Sequence, residues 1–147
     1  MAADSNAACL EAGLDACLAY AETAGSAAAE QVAAKVAHKI IAKGFSGRPS
    51  AIKKSEEALL KFMEVSPPEQ VALALLEGLK DKKPKVPPAC MATLIEGVRS
   101  CGAGKMPLKE MKAEFNSMLT HKVTDVRSKA LTLLAEIVRR SEHCVPQ

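Results

Sequence analysis

Apolar residues recur along this chain every three to four positions, and no stretch alternates strictly between apolar and polar. That spacing lines side chains along one face of an α-helix, so the pattern predicts helices and no strands. Leu10, Leu14, Cys17, Leu18 and Ala21 make a first stripe, with Asn6 as its N-cap and Gly25-Ser26 as its break. Val32, Val36, Ile40 and Ile41 make a second, closed by Gly44 just past the last turn. A third follows Ser46-Gly47-Arg48-Pro49 through Ile52, Leu59, Leu60 and Met63. Ser66-Pro67-Pro68-Glu69 has the form of a capping box with proline in the first turn, and it opens a fourth helix through Val71, Leu75 and Leu79. Met91, Leu94, Ile95 and Val98 carry the fifth, ended by Gly102 and Gly104. Pro107 opens the sixth, through Leu108, Met111, Phe115 and Met118. The last starts near Thr124-Asp125 and continues through Val126, Ala130, Leu134, Ile137 and Val138. The expectation is seven helices, at roughly 6–24, 26–43, 51–65, 67–80, 87–101, 107–119 and 125–141.

The links between these helices alternate in kind. Those at Gly25, Ser66-Pro67 and Gly102 to Gly104 are small and nearly uncharged, whereas those around 48–54, 80–85 and 122–129 are basic. The three basic stretches hold half of the 20 Lys and Arg residues, with Asp81 and Asp125 their only acids. Cys9, Ile52, Val86 and Val126 stand at equivalent steps from link to helix, separated by 43, 34 and 40 residues. Such separations are near those of helical-pair repeats (about 40–47 residues). Stacked antiparallel pairs put every second link on the same edge of a slab. With helix rows about 8–10 Å apart, three basic corners would form a ridge about 20 Å long. The expectation is therefore an all-α solenoid with one basic and one bland edge.

Composition agrees with a single α-helical unit of 147 residues, since 48% are hydrophobic but only 3% aromatic. The net charge of +3 is too small to argue for nucleic acid by itself, and no aromatic residue is interleaved with the basic ones to stack on bases. No apolar run reaches the length of a membrane span, about 18 residues, and the Ala-rich start lacks the basic segment of a secretory leader. Five scattered cysteines, Cys9, Cys17, Cys90, Cys101 and Cys144, read as reduced packing thiols of a cytosolic protein.

Catalytic and metal chemistry find no constellation. His38, His121 and His143 have no metal-like spacing to a cysteine or to one another, so neither a metal nor a cofactor is expected. Gly102-Ala103-Gly104-Lys105 resembles the end of a phosphate loop, but Arg99 stands at the first glycine and Met106 at the Ser/Thr. Gly13, Gly78 and Gly97 lie inside helices, each costing about 1 kcal/mol against Ala, and close helix contact is the expected reason. A ridge of lysines without such chemistry suits an acidic protein surface.

Several runs carry a family resemblance. Leu14-Asp15-Ala16-Cys17-Leu18-Ala19-Tyr20, Ile41-Ala42-Lys43-Gly44-Phe45-Ser46-Gly47-Arg48-Pro49, Gly78-Leu79-Lys80-Asp81-Lys82-Lys83-Pro84-Lys85-Val86 and Asp125-Val126-Arg127-Ser128-Lys129-Ala130 are similar, in order and spacing, to a TOG domain. This is the tubulin-binding HEAT-repeat array of microtubule polymerases. The resemblance implies a HEAT-type paddle, placement in the cytoplasm on microtubules, spindle or centrosome, and contact with αβ-tubulin through within-repeat loops along one edge. Carried over by position, Arg48, Lys53 and Lys54 fall in one loop, Lys82, Lys83 and Lys85 in the next, and Lys122, Arg127 and Lys129 in the last. Arg127 is the foremost of these. A TOG domain has an aromatic residue, commonly Trp, in its first loop, and this chain has no Trp. The resemblance therefore implies that residues 1–147 are a single TOG domain lacking its first repeat and part of the second, with further domains of the same protein as partners and the face around Leu10 and Leu14 open unless it is capped. The alternative is a HEAT scaffold that binds a different acidic protein.

Overall fold

The computed structural model describes residues 2–23 and 25–144, and among these every regular element is helical. The α-helices are α1 (Ala2–Thr23), α2 (Ser26–Gly44), α3 (Pro49–Val65), α4 (Pro68–Gly78), α5 (Val86–Cys101), α6 (Leu108–Leu119) and α7 (Thr124–Cys144), with a single 3-10 turn at Ala103–Lys105. None of them is long and apolar enough to cross a membrane.

The helices form two layers. In one, α1 packs on α3, α3 on α5 and α5 on α7; in the other, α2 packs on α4 and α4 on α6. This is a HEAT-type solenoid, and its core is the seam between the layers. Phe45, Leu59, Phe62, Leu75, Met91, Leu94, Met111 and Leu133 are all fully buried there. Each such side chain contributes about 1.5–3 kcal/mol of transfer free energy.

Helices approach closely at three glycines, Gly44 and Gly78 between the layers and Gly97 within the layer of α3 and α5. A Cβ on Gly44 would overlap the Oγ of Ser55 in α3, one on Gly78 would lie 2.5 Å from Cys90 Sγ, and one on Gly97 would lie 2.8 Å from Met63 Sδ. Close contact thus explains Gly78 and Gly97 but not Gly13, whose missing Cβ would touch nothing within 4 Å. Gly44 is the last residue of α2 and has no positive φ, so it ends the helix as expected but as a packing glycine inside it and not as a C′ residue beyond it. Gly102, at φ 86°, is the one glycine in the left-handed region among the described residues.

Other expectations need correction. The first helix starts at Ala2 and not at Asn6, because Ala2 and Ala3 favour helix and no Gly or Pro stands between them and Asn6. Residue 24, its expected last residue, lies outside the described residues. The third helix starts at Pro49, two residues early, since proline's fixed φ suits a first helical position. Ser66 does not cap α4; Pro67 holds the N-cap position, and the Ser66 hydroxyl donates back to Phe62 O at the end of α3. The face around Leu10 and Leu14 is not open, because α1 lies against α3 and α2: Leu14 is 3% exposed and Leu10 half-buried. Cys9 is exposed and is no counterpart of Val86 and Val126, which are fully buried. Among the described residues the two most open large hydrophobic side chains are on α7, Leu131 at 60% and Val138 at 51%, with Leu134 of the same helix at 41%.

Charges also tie the layer of α1, α3, α5 and α7 together. Ser50 donates to Glu11, and the Lys54 ammonium lies 3.0 Å from Asp15, both between α3 and α1. Between α5 and α7, Glu136 is 7% exposed with Arg99 at 3.4 Å, and the neighbouring Arg139 and Arg140 stand at 3.6 and 3.7 Å.

Candidate functional site

Because successive helices alternate between layers, the links α2–α3 (45–48), α4–α5 (79–85) and α6–α7 (120–123) all leave from one edge. Their proximity is direct. A groove of about 450 Å³ is lined together by Pro49 and Ile52 at the start of α3, Pro84 and Lys85 before α5, and Asp125 and Lys129 at the start of α7. The Lys83 ammonium reaches the Ala42 carbonyl near the end of α2 at 3.5 Å, spanning the first and second corners. His121 Nε2 lies 3.2 Å from the Leu79 carbonyl, spanning the second and third.

Each corner is built tightly. At α4–α5, Asp81 N bonds to Gly78 O at 3.1 Å and Val86 N to Lys83 O at 3.2 Å. The Asp81 carboxylate accepts the Lys83 N–H at 2.8 Å, an Asx turn that fixes the middle of the link. At α6–α7, the Val123 N–H donates to His121 Nδ1 at 3.1 Å. Since Nδ1 accepts, the Nε2–H is the donor to Leu79 O, and the ring is the neutral tautomer with its proton on Nε2.

The sequence-derived basic residues fall into three groups by what holds them. Lys82, Lys85 and Lys122 are exposed on the corners, and Lys53 is exposed near the start of α3; Arg48, at the N-cap position of α3, is exposed too but is not free of contacts. Lys83, Arg127 and Lys129 lie on the same edge but are engaged. Arg127 folds back over its corner, donating to His121 O at 2.6 Å and Thr124 Oγ1 at 3.0 Å. Lys129 is half-buried and lies near Glu56, whose carboxyl is pushed above its usual range by burial and by Glu96, with Lys129 pulling the other way. Lys54 stands apart from the rest: its side chain is turned to Asp15 on α1, and that hydrogen bond pushes its pKa up. Lys80, outside the predicted set, pairs with Glu114 at 3.5 Å.

Helix orientation adds to these charges. The N-termini of α3, α5 and α7 all face this edge, and the first turns of α3 and α5 contain no acid. A helix N-terminus carries about half a positive charge. The C-termini of α2, α4 and α6 face the same edge from the other layer, where Lys43 and Lys83 offset them.

What the pattern of residues missed is the fastening. His121 reads as one more basic-corner residue, yet it joins two corners through a backbone carbonyl, which no side-chain pattern reports. Pro49, Pro84 and Pro88, which all line the groove, are legible in the sequence only as helix breakers and starters.

The remaining polar groups offer less. Burial pushes up the thiol pKa of Cys90, and also of Cys17 and Cys101, which makes them poor nucleophiles. Among the described residues no group of three or more His, Cys, Asp or Glu is placed to hold a metal ion. His38 stands exposed, 3.5 Å from Glu77.

Comparison with known proteins places this architecture. The family model described as XMAP215/Dis1/CLASP, TOG domain, matches residues 1–145. Protein MOR1 of Oryza sativa subsp. japonica is 29% identical over 137 residues, 93% of this chain and 7% of that protein. Protein mini spindles of Drosophila melanogaster is 28% identical over 140 residues, 95% of this chain and 7% of that protein. Centrosomal protein 224 of Dictyostelium discoideum is 32% identical over 94 residues, 64% of this chain and 5% of that protein. The chain thus spans a small fraction of the length of these relatives. With a match across nearly all of its residues and a two-layered helical stack to carry it, the chain belongs to the XMAP215/Dis1/CLASP family of TOG domains.

Proposed function

We propose that this domain binds αβ-tubulin through its basic edge and thereby contributes to the regulation of microtubule assembly on the cytoskeleton. The observation that carries the reading is the convergence of three basic corners on one edge of a TOG-family solenoid. Arg48, Lys53, Lys82, Lys83, Lys85, Lys122, Arg127 and Lys129 supply the charge, and Lys54 serves chiefly to join α3 to α1. Binding is the whole of the proposed activity, with no chemical step.

An exposed ion pair contributes only about 0.2–1 kcal/mol, so such an edge works by summing several. Association should then be fast, salt-sensitive and modest in strength. The test is fluorescence anisotropy with labelled domain and soluble tubulin across a salt series. Replacing Lys83, Lys122 and Arg127 together by Glu should abolish binding at low salt. Unchanged binding by that variant would remove the edge from the function.

A further inference from the structure

Between the second and third corners the edge opens into a pocket of about 330 Å³. Its floor is apolar, made by Leu79 and by Met118 of α6, which are 6% and 1% exposed. Ser117 and His121 form the walls, and Lys82 and Lys122 stand at the mouth, both exposed. Two acids also line it: Glu114 pairs with Lys80, whereas Asp81 accepts the Lys83 N–H and keeps its charge, so three lysines face two carboxylates. Lys82 and Lys122 make no ion pair among the described residues, and the lining keeps a small excess of positive charge.

We propose that this pocket is the anchor point of the edge, taking one apolar side chain from the tubulin surface, with carboxylates of tubulin on either side of it. The proposal rests on the tubulin-binding reading above. Three features argue for it. The volume is at the lower end of what small-ligand clefts enclose (about 300–1,000 Å³), which suits a side chain and not a cofactor. An apolar floor rimmed by exposed charge is the arrangement of an interface hot spot, a buried anchor ringed by contacts that exclude water. The walls are also pre-set: His121 Nε2 at 3.2 Å from Leu79 O holds one corner against the other, so little ordering is needed on binding. Charge selects the partner: two lysines at the mouth favour an apolar residue with acidic neighbours over one with basic neighbours.

Ser117 gives the test, because it is exposed and uncharged and can fill the pocket without altering any lysine. Ser117→Trp should raise the Kd for soluble tubulin about tenfold, with the melting temperature and the salt dependence of binding unchanged. Ser117→Ala should bind as the native domain does. If Ser117→Trp lowers the melting temperature, Ser117→Leu serves in its place. Lys82→Glu with Lys122→Glu is run alongside. Native-like binding by Ser117→Trp, with weakened binding by the lysine variant, overturns the pocket and leaves the basic edge standing. Native-like binding by both overturns the two readings together. A Ser117→Trp variant that weakens binding while flattening its salt dependence also overturns the anchor, since it would be blocking charges and not filling a cavity.

Discussion

The imidazole of His121 meets the backbone carbonyl of Leu79 at 3.2 Å, and by that contact the third corner of the basic edge is tied to the second. The same ring accepts the Val123 N–H on its other nitrogen, and the His121 carbonyl accepts from Arg127. One half-buried residue therefore fixes its own turn, a neighbouring turn and an edge guanidinium. His121→Phe keeps the ring volume but leaves Leu79 O and Val123 N–H without their partner. Loss of a hydrogen bond to a partly buried group costs about 1–3 kcal/mol, so a drop in urea-unfolding free energy in that range is expected. A fall of only a few tenths would mean that water replaces the ring and that the corners are held by the helices alone.

Gly44 of α2 meets Ser55 of α3 across the two layers. A Cβ on Gly44 would overlap Ser55 Oγ and stand 2.9 Å from Ser55 Cβ. Ser55 cannot easily turn away, because it is fully buried and its hydroxyl donates to Ala51 O at 2.7 Å. Gly44→Ala should then lose about 1–3 kcal/mol, the usual cost of overpacking, although Ala favours helix over Gly by about 1 kcal/mol. Adding Ser55→Ala removes the Oγ but not the Cβ, so it should restore part of the loss and not all. A double-mutant cycle by thermal unfolding measures the coupling, expected at about 0.5 kcal/mol or more. Strict additivity would place the strain elsewhere.

These two contacts mark how far the residues alone could be read. Periodicity placed the apolar stripes because helix formation and burial are both written in local spacing, and the alternation of links placed the basic corners on one edge because a solenoid alternates layers by geometry. What spacing does not contain is the partner across the layer. Gly44 looks like a C′ residue just beyond its helix until it proves to be the last residue of α2 with Ser55 against it, and Ser66 looks like a cap until Pro67 takes the N-cap position and the Ser66 hydroxyl turns back to Phe62. Lys54 counts as an edge charge by position, yet a helix turn is three to four residues, and one further step carries it to the side of α3 that faces Asp15. The Leu10 and Leu14 stripe appears unpartnered only if α1 is thought of as half a pair; in the stack it leans on α3.

Glu56 gives a stability effect whose sign depends on pH. Burial and then Glu96 push its carboxyl pKa up, outweighing the pull of Lys129. A folded pKa above the unfolded one means that the folded state binds the proton more tightly, so ionised Glu56 destabilises the fold at neutral pH. That penalty is complete above the folded pKa and fades as pH falls toward the unfolded value, about 4.3. Glu56→Gln should thus raise stability at pH 7, by a few tenths to about 1 kcal/mol given the half-exposed site. Melting temperatures of both proteins from pH 7 to pH 4 should converge at the acid end. A Gln variant less stable at pH 7 would mean that the Lys129 attraction dominates.

On α7, neighbouring leucines separate packing from surface. Leu133 is fully buried in the seam, whereas Leu131, two residues earlier, is 60% exposed on the outer face. Two positions along a helix turn a side chain through about half a revolution, which is why the same helix offers one leucine to the core and turns the other outward. Leu133→Ala removes buried volume and leaves a cavity, at an expected cost of about 2–5 kcal/mol. Leu131→Ser, at a site with little contact to lose, should stay within about 0.5 kcal/mol of the native domain. Chemical unfolding of the two variants side by side checks the assignment of faces, and equal losses would show that the outer ridge of α7 is covered in solution.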